Sequence, residues 1–334
     1  MSIDLAGYDE GQVIFEATNL NNNEFELTSY RRDGGITPIR KIASLNLNNN
    51  VLEIHEDTRY VRQSNDDIAD KALLYSYIAE YPNGLNTYTV AMFLGDSTFY
   101  LRIPDFESNT ANDLVQKYWS EIMSRPNLII DIRNNGGGQD NFYQKLAEII
   151  YTNPYESKGI EWYATDGIIA EREELIENGQ IKEGYEEESK ALLDEMKKNV
   201  GGFVVHPYYG GDEIIKRDTI YSNPKKVGII INGNNASSAE QFLLDAKQST
   251  KVVLFGNENT AGVLDYSNIT PKELPSGKYS LWLPATRSRR LPDNPIDNIG
   301  IPPDVSIPLI PQEQLYNRLD DWVYYVKNYL ELQE

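Results

Sequence analysis

Residues 127–138 read Asn-Leu-Ile-Ile-Asp-Ile-Arg-Asn-Asn-Gly-Gly-Gly, a short apolar run that ends in polar residues and three glycines. An apolar run of this length without alternation is typical of a strand buried on both faces. The glycines predict a sharp turn with exposed N–H groups, because no Cβ atoms shield the backbone. A plain tight turn is the simplest interpretation of this motif alone, and an anion or oxyanion site is the alternative.

Further strands and helices alternate on both sides of this motif. Apolar strands are predicted at residues 98–103, 226–231 and 252–256, and helices at residues 109–123, 141–151 and 237–249. This alternation predicts an α/β core with helices packed on the sheet.

The domain organisation follows from a change in the pattern of predicted strands and helices along the chain. Residues 1–95 form a smaller β-rich N-terminal region, interrupted by one predicted helix at residues 67–81, and residues 96–334 form the core. Residues 171–198 carry many Glu and Lys side chains at helical spacing. We expect them to form a solvated helical insertion, and a lid over a substrate groove is the alternative.

A second motif, Ile-Asn-Gly-Asn-Asn-Ala-Ser-Ser-Ala-Glu at residues 231–240, also joins a buried strand to a helix. Ser237 stands where the helix begins and Glu240 follows three residues later, which is the pattern of a capping box. The alternative is that Ser237 is a nucleophile at a strand-to-helix turn, with the next backbone N–H binding an oxyanion.

The composition excludes several classes of function. The 334 residues include 31 Lys and Arg against 51 Asp and Glu, which gives a net charge of −20. So acidic a chain repels phosphate backbones and anionic lipids, so we expect no nucleic-acid partner. The absence of cysteine excludes disulfides, thiol catalysis and zinc–thiolate sites. No run approaches the roughly 18 apolar residues of a membrane-spanning helix, so no membrane insertion is expected.

Neither a metal nor an organic cofactor is predicted, because the sequence shows no ligand cluster at a suitable spacing. The first ten residues lack the basic and apolar regions of a signal peptide. The sequence therefore predicts either a cytoplasmic protein or one whose leader lies outside this chain, and it predicts no oligomeric state.

Four stretches, taken together and in order, resemble the tail-specific, or C-terminal-processing, serine peptidases. They are the 131–138 glycine motif, the 235–240 serine segment, the 256–262 stretch Gly-Asn-Glu-Asn-Thr-Ala-Gly and the 297–304 stretch Asp-Asn-Ile-Gly-Ile-Pro-Pro-Asp. The resemblance implies a ClpP/crotonase-type core of repeated β-β-α units and a polypeptide substrate. Residues 101–106 and 150–154 resemble secreted members from gut-type Bacteroidetes, which implies a periplasmic or extracellular location.

The resemblance also implies roles for individual residues. Ser237 matches the nucleophile, and the N–H groups of Ser238 and of the glycine run match the oxyanion hole, with Gly137 preferred and Gly138 beside it. One branch of the family has its catalytic lysine directly after the Thr-x-Gly motif, where this chain has Val263. This departure indicates the tricorn-like branch, which uses serine, histidine and an acid, and Asp297 occupies the position of the acid.

The histidine expected as the general base is not identified, because neither His55 nor His206 stands in the family's Asp-x-His motif. We therefore expect either that the base precedes this chain or that the protein is a degenerate member with little turnover. The first hypothesis is a serine endopeptidase that acts on unfolded chains or C-terminal tails. The alternatives are a catalytically silent peptide-binding module and a crotonase-like acyl-CoA enzyme.

Overall fold

A computed structural model describes residues 15–21, 24–29, 41–46, 51–54, 58–61, 89–307 and 321–332. Its core is a six-stranded sheet with the order β17-β14-β13-β8-β7-β6. The strands of this sheet are β6 Val90–Leu94, β7 Thr98–Arg102, β8 Asn127–Asp131, β13 Lys226–Ile230, β14 Val252–Gly256 and β17 Val305–Ser306. Only β6 runs antiparallel to its neighbour. The predicted α/β core is confirmed, and β8 and β13 pair side by side at its centre.

The helices among the described residues have between 5 and 13 residues. They are α1 Thr110–Lys117, α2 Trp119–Met123, α3 Gln144–Ile150, α4 Asp166–Glu177, α5 Glu186–Lys198, α6 Ser238–Ala246 and α7 Asp321–Leu332. The helix predicted at residues 109–123 is divided at Tyr118, and the one predicted at 141–151 opens with a 3₁₀ turn at Asp140–Tyr143.

The two faces of the central sheet are covered by different helices. Leu128 and Ile130 of β8 pack in a cluster with buried residues of α1, α3 and α6. Ile129, between them, packs in a second cluster with buried residues of α7. Successive strand residues point to opposite faces, so the three central residues of β8 must all be apolar to fill both clusters.

A second sheet lies beside the core, with the order β11-β10-β16-β15. Its strands are β10 Ile160–Tyr163, β11 Phe203–Val204, β15 Tyr266–Glu273 and β16 Ser280–Ser288, and a smaller pair joins β9 Tyr155–Ser157 to β12 Glu213–Ile215. The 171–198 segment contains α5 and most of α4. Both helices contribute to a buried cluster with β11, so the segment has an apolar core of its own.

The N-terminal region contains an antiparallel sheet in the order β1-β2-β3-β4-β5. Its strands are β1 Phe15–Asn21, β2 Glu24–Ser29, β3 Lys41–Asn46, β4 Val51–Ile54 and β5 Thr58–Val61. The β-rich character predicted for this region is confirmed, whereas the helix predicted at residues 67–81 lies outside the described residues. The domain boundary near residue 95 stays a prediction. Within the described ranges, no helix is long and apolar enough to cross a membrane.

Candidate active site

The two motifs meet where β8 and β13 end. These parallel neighbours end at the same edge of the sheet, so the loops that follow them, residues 132–138 and 231–237, lie side by side. The Asn134 N–H donates to Asn232 Oδ1 at 2.9 Å, and Asn232 Nδ2 donates to Asn134 Oδ1 at 2.7 Å. The Ala236 N–H donates to the Asn135 carbonyl at 3.2 Å. These amide contacts hold the glycine turn against the serine segment.

A buried charge cluster fixes the start of the glycine loop. The Asp131 carboxylate, at the end of β8, accepts hydrogen bonds from the Arg102 and Arg133 guanidinium groups and from the Tyr100 hydroxyl. Asp131 and Arg102 are fully buried and Arg133 almost so. Because a buried charge is costly unless it is paired and hydrogen-bonded, this cluster restrains the loop that leads to the glycines.

Ser237 has an unusual backbone conformation. It directly precedes α6 with φ of 55° and ψ of −125°, a region that residues with a Cβ atom rarely adopt. Such a conformation costs about 1–3 kcal/mol and persists only where neighbouring contacts enforce it. Strained residues of this kind cluster at active sites, which supports a functional interpretation of Ser237 beside the capping interpretation.

The contacts that enforce this conformation converge on Glu240. Its fully buried carboxylate accepts the Ser237 N–H at 3.2 Å, the Gly262 N–H at 2.8 Å and the Val263 N–H at 2.9 Å, as well as the Thr260 hydroxyl at 2.6 Å. Ser237 and Val263 donate to the same oxygen, Oε2, so their backbone nitrogens lie at most about 6 Å apart. Glu240 therefore fixes the serine relative to the Thr-Ala-Gly loop.

We expect Glu240→Gln to lower the free energy of unfolding by about 2–4 kcal/mol. The side-chain NH₂ group of glutamine would face N–H or O–H donors that the carboxylate now accepts, in a buried site. Denaturant unfolding measures this change. The matched control is Glu174→Gln, since Glu174 is exposed, and it should be neutral. Equal stability of the two variants would contradict the role given to Glu240.

Gly137 brings the glycine turn into direct contact with the serine. A methyl group added at Gly137 would lie 2.7 Å from the Ala236 carbonyl oxygen and 2.8 Å from both Ser237 Cβ and the Ser238 nitrogen. The φ of Gly137 is +100°, which also favours glycine. Only a residue without a side chain permits the two loops to approach this closely.

The backbone amides near Ser237 are not equivalent. The Gly137 N–H donates to Asn135 Oδ1 at 2.9 Å, so it is already engaged. In contrast, the N–H groups of Gly138 and Ser238 have no acceptor among the described residues. The Ser238 hydroxyl donates to the Gly138 carbonyl at 3.0 Å, which ties these two residues together. The Gly137 N–H, which is preferred from the sequence as an oxyanion donor, is therefore bound to Asn135, and the choice between Gly137 and Gly138 stays a prediction.

Asp297 belongs to a reciprocal pair of loops. Its Oδ1 accepts the N–H groups of Leu264 and Asp265 at 2.8 and 2.6 Å. The buried Asp265 carboxylate in turn accepts the Asp297 N–H at 2.9 Å and a hydrogen bond from Arg290 at 3.1 Å. These contacts lock the residues that follow Val263. The sequence singled out Asp297 but missed Asp265, whose partners are distant in the chain.

The described histidine, His206, is not placed as a partner of Ser237. Its ring is buried and stacks on Tyr209 with a centroid distance of 3.7 Å, and its Nδ1 accepts the Tyr208 N–H at 3.2 Å. Burial, assisted by the positive charge of Arg172, lowers the pKa of His206. Within the described part of the chain, no lysine or histidine is hydrogen-bonded to Ser237. His55 lies outside the described residues.

Two acidic residues interact near α6, namely Asp245 of that helix and Asp140 of the 3₁₀ turn before α3. The pKa of Asp245 is raised to about 7, mainly by burial and in part by the negative charge of the neighbouring Asp140, while the 3.0 Å hydrogen bond from Gln241 opposes the shift. Gln241 also accepts a hydrogen bond from Arg290 at 3.2 Å. The described residues hold no group of three or more His, Asp or Glu side chains arranged for a metal ion.

The raised pKa makes folding stability depend on pH. Between about pH 4 and 7, folded Asp245 keeps a proton that the unfolded chain releases, so stability falls as the pH rises through this window. Between about pH 4 and 7, we expect the free energy of unfolding of Asp245→Asn to decrease by about 1–3 kcal/mol less than that of the wild type. Denaturant unfolding of both proteins at the two ends of the window measures it. The exposed Asp194→Asn is the control, and parallel pH profiles for wild type and Asp245→Asn would refute the assignment.

Comparisons with known proteins identify a family and a shared fold. The model of peptidase family S41 matches residues 97–307. Mature CPAF has a similar fold, with a TM-score of 0.53 and 16% identity over 94% of this chain and 67% of that one. A candidate peptidase from Parabacteroides merdae ATCC 43184 gives a TM-score of 0.52 and 15% identity over 79% of this chain and 71% of that one. No curated protein matches the sequence significantly.

These structural likenesses, at such low identity, show the fold, whereas the family match covers well over half of the chain. It includes the glycine turn, the serine segment and the loop that Glu240 holds. This protein therefore belongs to peptidase family S41, and it is a hydrolase of the serine peptidase class.

Proposed function

We propose that this protein cleaves unfolded polypeptides or C-terminal tails with Ser237 as the nucleophile and the N–H groups of Gly138 and Ser238 as the oxyanion hole. The observation that carries the proposal is the position of Ser237. It is held at a positive φ at the start of α6, against a glycine turn, with two amides beside it that have no acceptor among the described residues.

The proposed chemistry follows from this arrangement. Ser237 Oγ attacks the carbonyl carbon of the scissile peptide, and the proton of the hydroxyl passes to a base. The negative charge that develops on the carbonyl oxygen is stabilised by the two amides, each of which is worth about 10²–10³ in rate in comparable sites. Collapse of the tetrahedral intermediate breaks the C–N bond, the amine takes up the proton, and water later releases the acyl-enzyme.

Among the residues that the structure describes, the hydrogen-bond partners of Ser237 include no lysine or histidine that could act as the base. Val263 stands where one branch of the family has lysine, and it is half exposed, with its N–H on Glu240. Asp297 is proposed as the acid that positions a histidine, and its Oδ1 already holds two backbone amides. His55, outside the described residues, is the candidate histidine that this chain offers.

The second candidate function is a silent peptide-binding protein. The valine at position 263 favours it, because a serine without a base is a weak nucleophile. Such a protein would keep the two amides and would hold a polypeptide without cutting it.

The test incubates this chain with an unfolded polypeptide and follows both cleavage and binding. Under the peptidase proposal, cleavage disappears in Ser237→Ala and is unchanged in His206→Ala, since His206 is buried and stacked on Tyr209. Loss of cleavage in His55→Ala as well would identify the base. Binding without any cleavage would establish the silent function, and cleavage that survives in Ser237→Ala would exclude Ser237 as the nucleophile.

A further inference from the structure

The outer part of the β15–β16 hairpin, residues 269–284, is here called the arm. It exposes six large apolar side chains, each with between 40% and 70% of its surface accessible to solvent, namely Ile269, Leu274, Tyr279, Leu281, Trp282 and Leu283. Single exposed apolar residues are ordinary in proteins, but a contiguous group of this size marks an interaction surface.

Both faces of the arm are exposed. Ile269 pairs with Pro284 and Pro271 with Trp282, so these four residues share one face of the hairpin. Leu281 and Leu283 lie on the opposite face, where they pair with Lys272 and Thr270. A two-stranded hairpin without a covered face is marginally stable in water. A partner that covers the arm would therefore stabilise it.

The outer strand of the arm is unsuited to adding another strand. β15 is the end strand of its sheet within the described residues. Pro271, in the middle of β15, has no backbone N–H, and proline on an edge strand is a known protection against edge-to-edge pairing. We therefore expect the partner to contact β15 through side chains and not by adding a strand to it.

The low net charge of the arm favours contact between two copies of this chain there. The hairpin from residue 266 to 288 has a net charge of +2 in a chain of −20. Lys272 and Arg287 are paired with Glu171 and Glu161 of the same chain, which leaves Lys278 and Glu273 as the charges of the arm. The arm is thus close to neutral, and two copies meet there with the least electrostatic repulsion.

We propose that the arm packs against a second copy of this chain in a twofold-symmetric dimer. A permanent partner suits a surface that is exposed on both faces, whereas a polypeptide substrate would leave the arm uncovered between turnovers. A twofold axis lets the same apolar patch of each copy cover that of the other, which is the commonest arrangement of protein dimers. The proposal does not depend on the catalytic role of Ser237.

The test is sedimentation of the wild-type chain over about 1–100 μM, a range that detects a dissociation constant in that region. We expect a species of twice 38.0 kDa. The variant Ile269→Asp/Trp282→Asp should raise the dissociation constant at least about tenfold. The matched control is Ile220→Asp, because Ile220 is as exposed as Ile269 but lies outside the arm, and it should still form the dimer.

Intrinsic fluorescence provides a second measurement that needs no variant. All four tryptophans are among the described residues, and only Trp282 is exposed. Dimer formation should therefore shift the emission to shorter wavelength as the protein concentration rises. Trp282→Phe, which keeps an aromatic ring on the arm but removes the reporter, should still form the dimer and should abolish the shift.

Three results would overturn the proposal. One is a monomer at every concentration without a shift in emission. Another is a dimer that the double variant does not weaken. The third is a monomer whose arm variant loses affinity for unfolded polypeptide while Ile220→Asp retains it, which would assign the arm to substrate capture.

Discussion

A Val263→Lys variant is expected to cleave unfolded polypeptide about 10²–10⁴ times faster than the wild-type chain, the range over which a positioned general base acts. Glu240 Oε2 accepts the backbone N–H groups of both Ser237 and Val263, so the backbone nitrogens of these two residues lie at most about 6 Å apart. Val263 is half exposed, so a longer side chain at this position can extend into space that is accessible to solvent. The new amine would lie within reach of the serine hydroxyl.

The controls separate a base from a change in binding. Val263→Met has a similar length without an amine and should leave the rate unchanged. Val263→Lys/Ser237→Ala should be inactive, because the gain requires the nucleophile. A Val263→Lys protein that is folded, binds polypeptide and cleaves no faster than wild type would mean that position 263 does not present its side chain to Ser237.

Gly137→Ala is expected to lower the free energy of unfolding by about 2–4 kcal/mol, the range for a substitution that is strained and clashes with a packed backbone. The added methyl group would lie under 3 Å from the Ala236 carbonyl and the Ser238 nitrogen, and alanine disfavours the φ of +100°. The loops would have to separate, which would displace the Ser238 N–H from its proposed partner amide on Gly138. When Gly137→Ala is added to the Val263→Lys variant, we expect the cleavage rate to fall by a factor of about 10²–10³.

Gly136→Ala is the matched control for this prediction. Gly136 is the neighbouring glycine of the same turn, but a methyl group there would meet nothing within 4 Å. Denaturant unfolding should find Gly136→Ala within about 0.5 kcal/mol of wild type. If Gly136→Ala and Gly137→Ala were equally stable and equally active, close contact between the turn and Ser237 would not matter.

The sequence predicts the centre of the fold because the decisive signals are local. The apolar residues 128–130 and their counterparts 227–230 are buried on both faces of the sheet, and the sequence pattern alone indicates this. The adjacency of these strands places the glycine turn beside Ser237, a pairing that the order of the motifs already indicated. Local patterns thus determine which loops meet.

The finer geometry of the site depends on contacts between residues distant in the chain. The sequence shows Glu240 as a capping partner of Ser237, but its hydrogen bonds to Gly262 and Val263 span more than twenty residues. The choice between Gly137 and Gly138 depends on one side chain, since Asn135 Oδ1 engages the first of these amides. Neither contact has a periodic or compositional signal.

The central claim is that Ser237 is the nucleophile, and covalent labelling tests it most directly. The wild-type chain and the Val263→Lys variant are exposed to a fluorophosphonate, and the modified residue is mapped by mass spectrometry of the digested protein. We predict a single adduct on Ser237 that forms slowly in the wild-type chain, forms faster in Val263→Lys and is absent after Ser237→Ala. An adduct on another residue, or labelling that persists in Ser237→Ala, would contradict the assignment.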